Sequence, residues 1–190
     1  TAVRMTAPAV TVLIINTNKR HRLAESEYAE RRAQCETAAR TLDVPALRDA
    51  TLQDLEAARA RLDPVVFRRA RHVISENERT LQAARAIQAS CWPLMGELMY
   101  ASHQSLRADY EVSCPELDLI IEIARSIPAK EGMIGCRMTG GGFGGCAVSL
   151  VQTEAVKPLT RKLEQAYESR THTVPGIFSS RPAAGAQVLG

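Results

Sequence analysis

A glycine cluster at residues 137–146, R-M-T-G-G-G-F-G-G-C, constrains this chain more than any other stretch. Five of the 11 glycines fall in six consecutive positions. An ordered glycine loses more backbone entropy than any other residue, so such a cluster indicates a backbone that needs positive φ values or close approach to a ligand. Apolar runs at 133–138 and 146–151 flank it. We therefore predict a loop between two buried strands that lies against phosphate or nucleotide.

The spacing of these glycines is not that of a dinucleotide-binding loop. Residues 140–145 match G-x-G-x-x-G, but an apolar strand pattern follows them where the dinucleotide fingerprint requires a helix. The G-K-[ST] ending of a phosphate loop is absent as well. One interpretation is a hairpin whose glycines only allow close packing. The other is an anion-binding nest formed by Thr139 and the unobstructed N–H groups that follow it.

The start of the chain predicts a buried strand followed by positive charge. Residues 10–16, V-T-V-L-I-I-N, are β-branched and apolar, which suits a strand buried on both faces. Residues 16–18 are a turn signal, and the basic run K-R-H-R at 19–22 comes directly after it. This run is either a solvated turn or a source of charge for a polyphosphate, to which arginine makes bidentate contacts.

Helix signals fill the middle of the chain. Ser26 can cap a first helix, Thr51 with Asp54 resembles a capping box, and Asp63 before Pro64 opens a long helix to about residue 90. Further helical patterns cover about 94–106, the stretch from 115 and 154–169, and a last strand is predicted at 173–178. The resulting order predicts an α+β fold, with an antiparallel or mixed sheet of about four strands and helices packed mainly on one side.

Composition limits the kinds of partner. The net charge of +3 is too small to indicate nucleic acid, and 4% aromatic residues provide few stacking surfaces for single strands. No apolar run reaches membrane-spanning length. The five cysteines are an odd number without C-x-x-C pairing, which favours reduced thiols in a cytoplasmic protein. We predict neither a nucleic-acid nor a membrane partner.

The remaining polar residues form no self-sufficient catalytic set. His72 and His103 have no Cys or His at metal-ligand spacing, so no metal site is predicted. Tyr28 is expected to pack its ring near the start of a helix. Asp109 and Glu111 could pair but do not differ in spacing from surface charge. A solvated helix face is expected for three arginines: Arg68, Arg69 and Arg71.

Taken together, the motifs resemble the galactokinase family of the GHMP small-molecule kinases. R-M-T-G-G-G-F-G-G-C at 137–146 is similar to the third conserved motif of that family. Agreement extends to S-E-Y-A-E-R-R-A-Q-C-E at 26–36, R-R-A-R-H-V-I-S-E-N-E-R-T at 68–80 and S-H-Q-S-L-R-A-D-Y-E-V-S-C-P-E-L-D at 102–118. The resemblance runs from about residue 10 to residue 188, which is nearly the whole chain.

The resemblance implies the C-terminal lobe of such a kinase, with a ferredoxin-like sheet. It assigns residues 1–190 to one GHMP kinase C-terminal domain, in which 1–9 are a linker-like entry from an N-terminal lobe. The family's galactose-signature segment, its P-x-x-x-G-L-S-S-S-A phosphate loop and its catalytic Asp with an Arg partner match nothing in this sequence. The chain alone is therefore expected to be inactive, with no catalytic residue and no metal ligand of its own.

The resemblance also implies the reaction and the sites. Galactokinases transfer the γ-phosphoryl group of Mg·ATP to the C1 hydroxyl of α-D-galactose, and the N-terminal lobe binds most of the ATP and Mg²⁺. Tyr28 carries over as a galactose contact, and Arg20 matches a common basic position. Arg22 replaces the usual Ser or Thr near the nucleotide. The stretch expected near the phosphates comprises Thr139, Gly140, Gly141, Gly142, Gly144 and Gly145.

Three alternatives stay open at this stage. Some proteins of galactokinase descent bind galactose and ATP and signal to a transcriptional repressor. An N-acetylgalactosamine kinase is a close relative with a roomier sugar pocket. A free-standing ligand-binding lobe without a kinase half is the third. The details S-C-P-E-L-D and F-G-G-C favour a galactokinase among these.

Overall fold

The computed structural model describes residues 9–18 and 24–180 and confirms the α+β class. Four strands form one antiparallel sheet in the order β2-β3-β1-β4. The strands are β1 (Val10–Asn16), β2 (Met133–Thr139), β3 (Cys146–Gln152) and β4 (Gly176–Ser180). Along the chain, helices separate β1 from β2 and one helix separates β3 from β4, which is the β-α-β-β-α-β plan of ferredoxin-like folds with an enlarged first helical part.

Six α-helices lie in the described part of the chain. They are α1 (Ala24–Thr41), α2 (Leu52–Ala57), α3 (Pro64–Gln88), α4 (Trp92–Ser105), α5 (Pro115–Ser126) and α6 (Val156–Thr171). No helix among the described residues has the length and apolarity needed to cross a membrane.

Two of the predicted helix starts, those of α2 and α3, are confirmed. Thr51 and Asp54 form a reciprocal capping box at α2, and the Asp63 carboxylate accepts from the N–H of Val65 at 2.8 Å at the start of α3. Ser26 lies inside α1, because that helix already begins at Ala24. The last strand starts at Gly176 rather than at residue 173, since Pro175 has no N–H to donate to a strand partner.

The main core lies on one face of the sheet, and the helix α4 covers part of the other face. Leu13 and Ile15 of β1 pack in the main core with side chains of α5 and α6. Val10 of β1 and Leu150 of β3 point the other way and pack with Met99 of α4. Since β1 is apolar at alternate positions on both faces, it needs cover on both sides. The face of Leu13 and Ile15 is buried, whereas Val12 and Ile14 on the other face are half-buried, so the predicted burial of β1 on both faces holds only in part.

The helix α4 lies directly on the backbone of β2. A Cβ built on Gly96 would be 1.9 Å from the carbonyl oxygen of Ile134, and one built on Gly135 would be 2.6 Å from the Cα of Gly96. Two glycines facing each other thus allow a contact that no larger residue permits.

A second core joins α1, α2 and α3 beside the sheet layer. Ala38 of α1, Leu55 of α2, and Phe67 and Ile74 of α3 are buried together in it. The helix α3 also contacts α4. The helix α1 is therefore supported by α3, and it reaches the end of the sheet through the contacts described below.

Replacing Gly96 by Ala should destabilise the fold. The new methyl group would clash with the Ile134 carbonyl, and such overpacking costs about 1–3 kcal/mol in the free energy of unfolding, or more where backbone must move. This loss outweighs the gain of about 1 kcal/mol that Ala brings to a helix. Urea unfolding followed by circular dichroism measures the difference. Gly141→Ala, whose Cβ meets no heavy atom within 4 Å, is the control. An unchanged midpoint for G96A would contradict the direct α4–β2 contact.

Candidate functional site

The glycine loop, residues 140–145, joins β2 to β3 in conformations that side chains rarely adopt. The φ angles are 86° at Gly140, 94° at Gly142, 132° at Gly144 and 96° at Gly145, and Phe143 also has a positive φ of 61°. The predicted need for positive φ is confirmed at four of the five glycines. Since glycine adopts these angles without steric strain, the sequence of the loop follows from its shape.

One side of the glycine loop is packed against backbone. The N–H of Phe143 donates to the carbonyl oxygen of Val112 at 2.6 Å. A Cβ on Gly142 would lie 2.3 Å from the same oxygen, so this position has no room for a side chain. The Phe143 ring packs against the main core. The packing interpretation of the glycines thus holds for Gly142.

The other side of the loop is open. A Cβ built on Gly140, Gly141 or Gly145 would meet no heavy atom within 4 Å. Thr139, the last residue of β2, is exposed beside them. Crowding by other parts of the protein therefore does not explain these three glycines. Open backbone of this kind suits the close approach of an anionic ligand.

The end of β1 holds the far end of the loop. Both the N–H and the hydroxyl of Thr17 donate to the carbonyl oxygen of Gly145, each at 3.0 Å. The buried hydroxyl of Tyr167 on α6 donates in turn to the carbonyl oxygen of Thr17 at 3.2 Å. The predicted basic residues Arg20 and Arg22 lie outside the described residues.

The helix α1 brings Tyr28 to this end of the molecule. Tyr28 is 66% exposed, so the expected packing role of its ring is not seen. Arg31, three residues later, donates from Nε to the carbonyl oxygen of Tyr110 at 2.7 Å and from Nη2 to that of Glu111 at 3.1 Å. Its guanidinium carbon lies 5.9 Å from the centroid of the Phe143 ring. The helix that carries Tyr28 is thus attached to the packed side of the glycine loop.

We call residues 109–112 the arginine-held segment, because arginines of α1 and α3 fix it from two sides. Arg69 of α3 is only 2% exposed and donates to the Asp109 carbonyl and to the Glu111 carboxylate, each at 2.5 Å. Arg68 pairs with Glu111 at 2.9 Å, and Arg71 pairs with Asp109. The hydrogen bond from Arg69 lowers the pKa of Glu111.

The expectation of a solvated face is therefore wrong for Arg69, which is buried, while Arg68 and Arg71 are half-buried and paired with acidic residues. The structure pairs Asp109 and Glu111 with these arginines, which their spacing in the sequence did not indicate. The reason is a π-helical turn at Leu106–Tyr110, which ends with Glu111 in the left-handed region at φ 54°. This widened turn brings the acidic residues onto α3. Helical periodicity does not predict it, and π-helical turns occur frequently at functional sites. The only signal in the sequence was the presence of three closely spaced arginines in one motif and two acids in another.

A buried histidine completes the inner side of this cluster. Ser105 donates its hydroxyl hydrogen to the Asp109 carboxylate at 3.0 Å, so its oxygen accepts from Nδ1–H of His72 at 3.0 Å. The His72 ring stacks on Tyr110 with centroids 4.6 Å apart. Burial lowers the pKa of His72 to about 4, although the nearby Glu76 carboxylate opposes this shift. His72 is therefore neutral at pH 7.

His103 has a structural partner. Its Nε2 lies 3.2 Å from the Asp118 carboxylate, which Arg107 and Ser113 also contact. Within the residues that the structure describes, no three His, Cys, Asp or Glu side chains come close enough to hold a metal ion.

His72 should make the stability of the fold depend on pH. Its pKa is about 4 in the folded state against an ordinary value of 6.5, so the unfolded chain binds more protons in that interval. The free energy of unfolding should fall as the pH decreases from 6.5 towards 4. Between pH 7 and pH 4.5 this loss amounts to about 2 kcal/mol.

Urea titrations at pH 7 and 4.5 measure the loss. In His72→Gln the difference between the two pH values should shrink by most of that amount. The exposed His172 supplies the control variant, His172→Asn, which suits a left-handed position and should behave like the wild type. An equal pH dependence in H72Q would show that His72 is not the titrating group.

Comparison with known proteins agrees with this geometry. Residues 83–169 match the family model described as GHMP kinases C terminal. The chain is 46% identical to galactokinase of Bos taurus and 48% identical to galactokinase of Homo sapiens over 187 residues, which cover 98% of this chain in both cases. It superposes on the crystal structure of Lactococcus lactis galactokinase complexed with galactose with a TM-score of 0.85 and 35% identity, covering 93% of this chain.

The chain spans 46% of the length of each of these three proteins. Its sheet order, its glycine loop and the four motifs that carry the resemblance all belong to this shared part. The expected likeness to galactokinases is therefore confirmed over nearly the whole chain, and residues 83–169 match the C-terminal family model of the GHMP kinases.

Proposed function

We propose that this chain is the C-terminal lobe of a galactokinase, which transfers the γ-phosphoryl group of ATP to the C1 hydroxyl of α-D-galactose and yields galactose 1-phosphate and ADP. The observation that carries the proposal is the 46–48% identity to two galactokinases over 98% of the chain. The proposal treats residues 1–190 as one domain, with 1–9 as its entry. It includes a cytoplasmic location and no nucleic-acid or membrane partner.

Tyr28 is the proposed galactose contact in this lobe. Its side chain is exposed at the start of α1, although tyrosine rings are commonly partly buried. An aromatic ring with a terminal hydroxyl offers a sugar both an apolar surface and a hydrogen-bond partner. The attachment of α1 to the glycine loop through Arg31 supports a common cleft for the sugar and the phosphate.

The open side of the glycine loop is the proposed phosphate end of this cleft. Phosphoryl transfer relies on positioning and on stabilisation of charge spread over the phosphate oxygens. A loop with fixed anchors at Phe143 and Gly145 can hold backbone N–H groups ready for that charge without reorganising during the reaction. Its proposed members are Thr139, Gly140, Gly141, Gly144 and Gly145, and Gly142 supports them from the packed side of the loop. Arg20 and Arg22 are proposed to lie near the nucleotide.

The described residues do not fit a magnesium site. They contain no group of three suitable ligands, and no phosphate-loop motif occurs in the 190 residues. No residue of this chain is therefore proposed as a magnesium ligand or as a catalytic group. In the proposal, ATP, Mg²⁺ and the base that orients the galactose hydroxyl are held mainly by an N-terminal lobe, which packs against this one at the glycine loop.

The reaction is tested with the full-length protein in a coupled assay for ADP. We expect turnover with ATP and galactose, and much weaker turnover with N-acetylgalactosamine. The 190-residue chain alone should form no galactose 1-phosphate. Binding of galactose and ATP without turnover would favour a sensor, and equal turnover of both sugars would contradict the galactose assignment. Product formed by the 190 residues alone would contradict the proposal that an N-terminal lobe holds ATP and the base.

Tyr28→Phe tests the sugar contact. Loss of one neutral hydrogen bond costs about 1 kcal/mol, so the galactose dissociation constant should rise roughly fivefold. Titration calorimetry with the full-length protein measures it, and the affinity for ATP should stay unchanged. Tyr100→Phe is the matched control, because Tyr100 lies on α4 beside Arg125. Equal galactose affinity in Y28F and wild type would remove Tyr28 from the site.

A further inference from the structure

We propose that Arg31 is a positioning residue that fixes the glycine loop relative to Tyr28. The inference rests on the proposed function in one respect, namely that Tyr28 and the loop line the same cleft. The attachment itself is a property of the described geometry and can be tested without any substrate.

The burial of Arg31 is the first observation. Arg31 is only 8% exposed, whereas its neighbour Arg32 is exposed and pairs with Glu36 one turn away. Burying a guanidinium group is costly unless its hydrogen bonds are satisfied. Arg31 satisfies two of them at consecutive backbone carbonyls, those of Tyr110 and Glu111, and its remaining ion pair with Glu30 is long at 3.6 Å. Most of its polar contacts are therefore directed at the arginine-held segment.

The next carbonyl of that segment holds the loop. Tyr110 and Glu111 accept from Arg31, and Val112 accepts from the N–H of Phe143 at 2.6 Å. Three consecutive carbonyls thus connect α1 to the glycine loop. A second, direct connection is the guanidinium group near the face of the Phe143 ring, at 5.9 Å, which is within cation–π range.

Arg31 also contributes to the placement of Tyr28. Residues three apart lie on the same face of a helix, about 4.5 Å apart along its axis. The opposite side of the arginine-held segment is clamped by Arg69 through Asp109 and Glu111. Since the segment is fixed from α3, the fork of Arg31 holds α1 against it, in addition to the packing of α1 on α3. Lysine cannot reproduce the fork, because its ammonium group is a single point of donation.

Hydrogen exchange of the full-length protein tests the inference. In Arg31→Gln, amides of a peptide covering 139–146 should exchange at least about tenfold faster, because loss of more than 1.4 kcal/mol of local stability changes exchange by that factor. Arg31→Lys should show a smaller effect in the same peptide. Arg32→Gln, the matched control, should leave exchange in this peptide unchanged. In all three variants, amides in the core of β3 should exchange at the wild-type rate.

Activity provides the second measurement. In R31Q and not in R32Q, kcat/KM for galactose should fall at least about tenfold, since small misplacements in an active site cost up to 100-fold. If the wild type does not phosphorylate galactose, the proposed function fails, and loop exchange alone decides the role of Arg31. Unchanged loop exchange in R31Q overturns the inference. Faster exchange throughout the core in both R31Q and R31K also overturns it, because Arg31 would then be a general stabilising residue.

Discussion

The hydrogen bond from the N–H of Phe143 to the carbonyl of Val112 is the contact on which the candidate site depends. It joins the loop of the sheet to the helical part of the fold at 2.6 Å. The contact is possible only because Gly142 has no Cβ, which would lie 2.3 Å from the same oxygen. The packed side of the loop and its open side follow from this arrangement, because the backbone that faces Val112 cannot also face a ligand.

Two buried arginines hold the segment that contains the acceptor, the Val112 carbonyl, in place. The arginine-held segment receives Arg31 from α1 and Arg69 from α3, both of which are buried. Loss of an acceptor would leave a buried guanidinium group without a hydrogen-bond partner, which is costly, so the arrangement is held firmly. Two of the three helices of the second core, α1 and α3, thereby hold the geometry of a loop in the sheet. Their extended hydrogen-bond network explains why the segment tolerates a π-helical turn and a left-handed Glu111.

Local signals in the sequence predicted the elements, and long-range contacts limited the rest. The strand β1, the Asp63–Pro64 start and the Thr51–Asp54 box depend on residues close in the chain, and all three are found. The positive φ angles of the loop were likewise readable from its glycines. Burial of Arg69 was missed because its partners lie about 40 residues away beyond an unforeseen π-turn. The sequence does not predict that Gly142 packs against Val112 while Gly141 is open. That difference depends on the position of Val112 in the folded chain.

The central claim is that this lobe presents Tyr28 and the open side of the glycine loop as one wall of a sugar-kinase cleft. A crystal structure of the full-length protein with galactose and a non-hydrolysable ATP analogue tests it most directly. The account predicts a hydrogen bond between the Tyr28 hydroxyl and the sugar, with N–H groups on the open side of the glycine loop facing the phosphate end of the same cleft. A complex in which both ligands bind away from Tyr28 and from the glycine loop would contradict it.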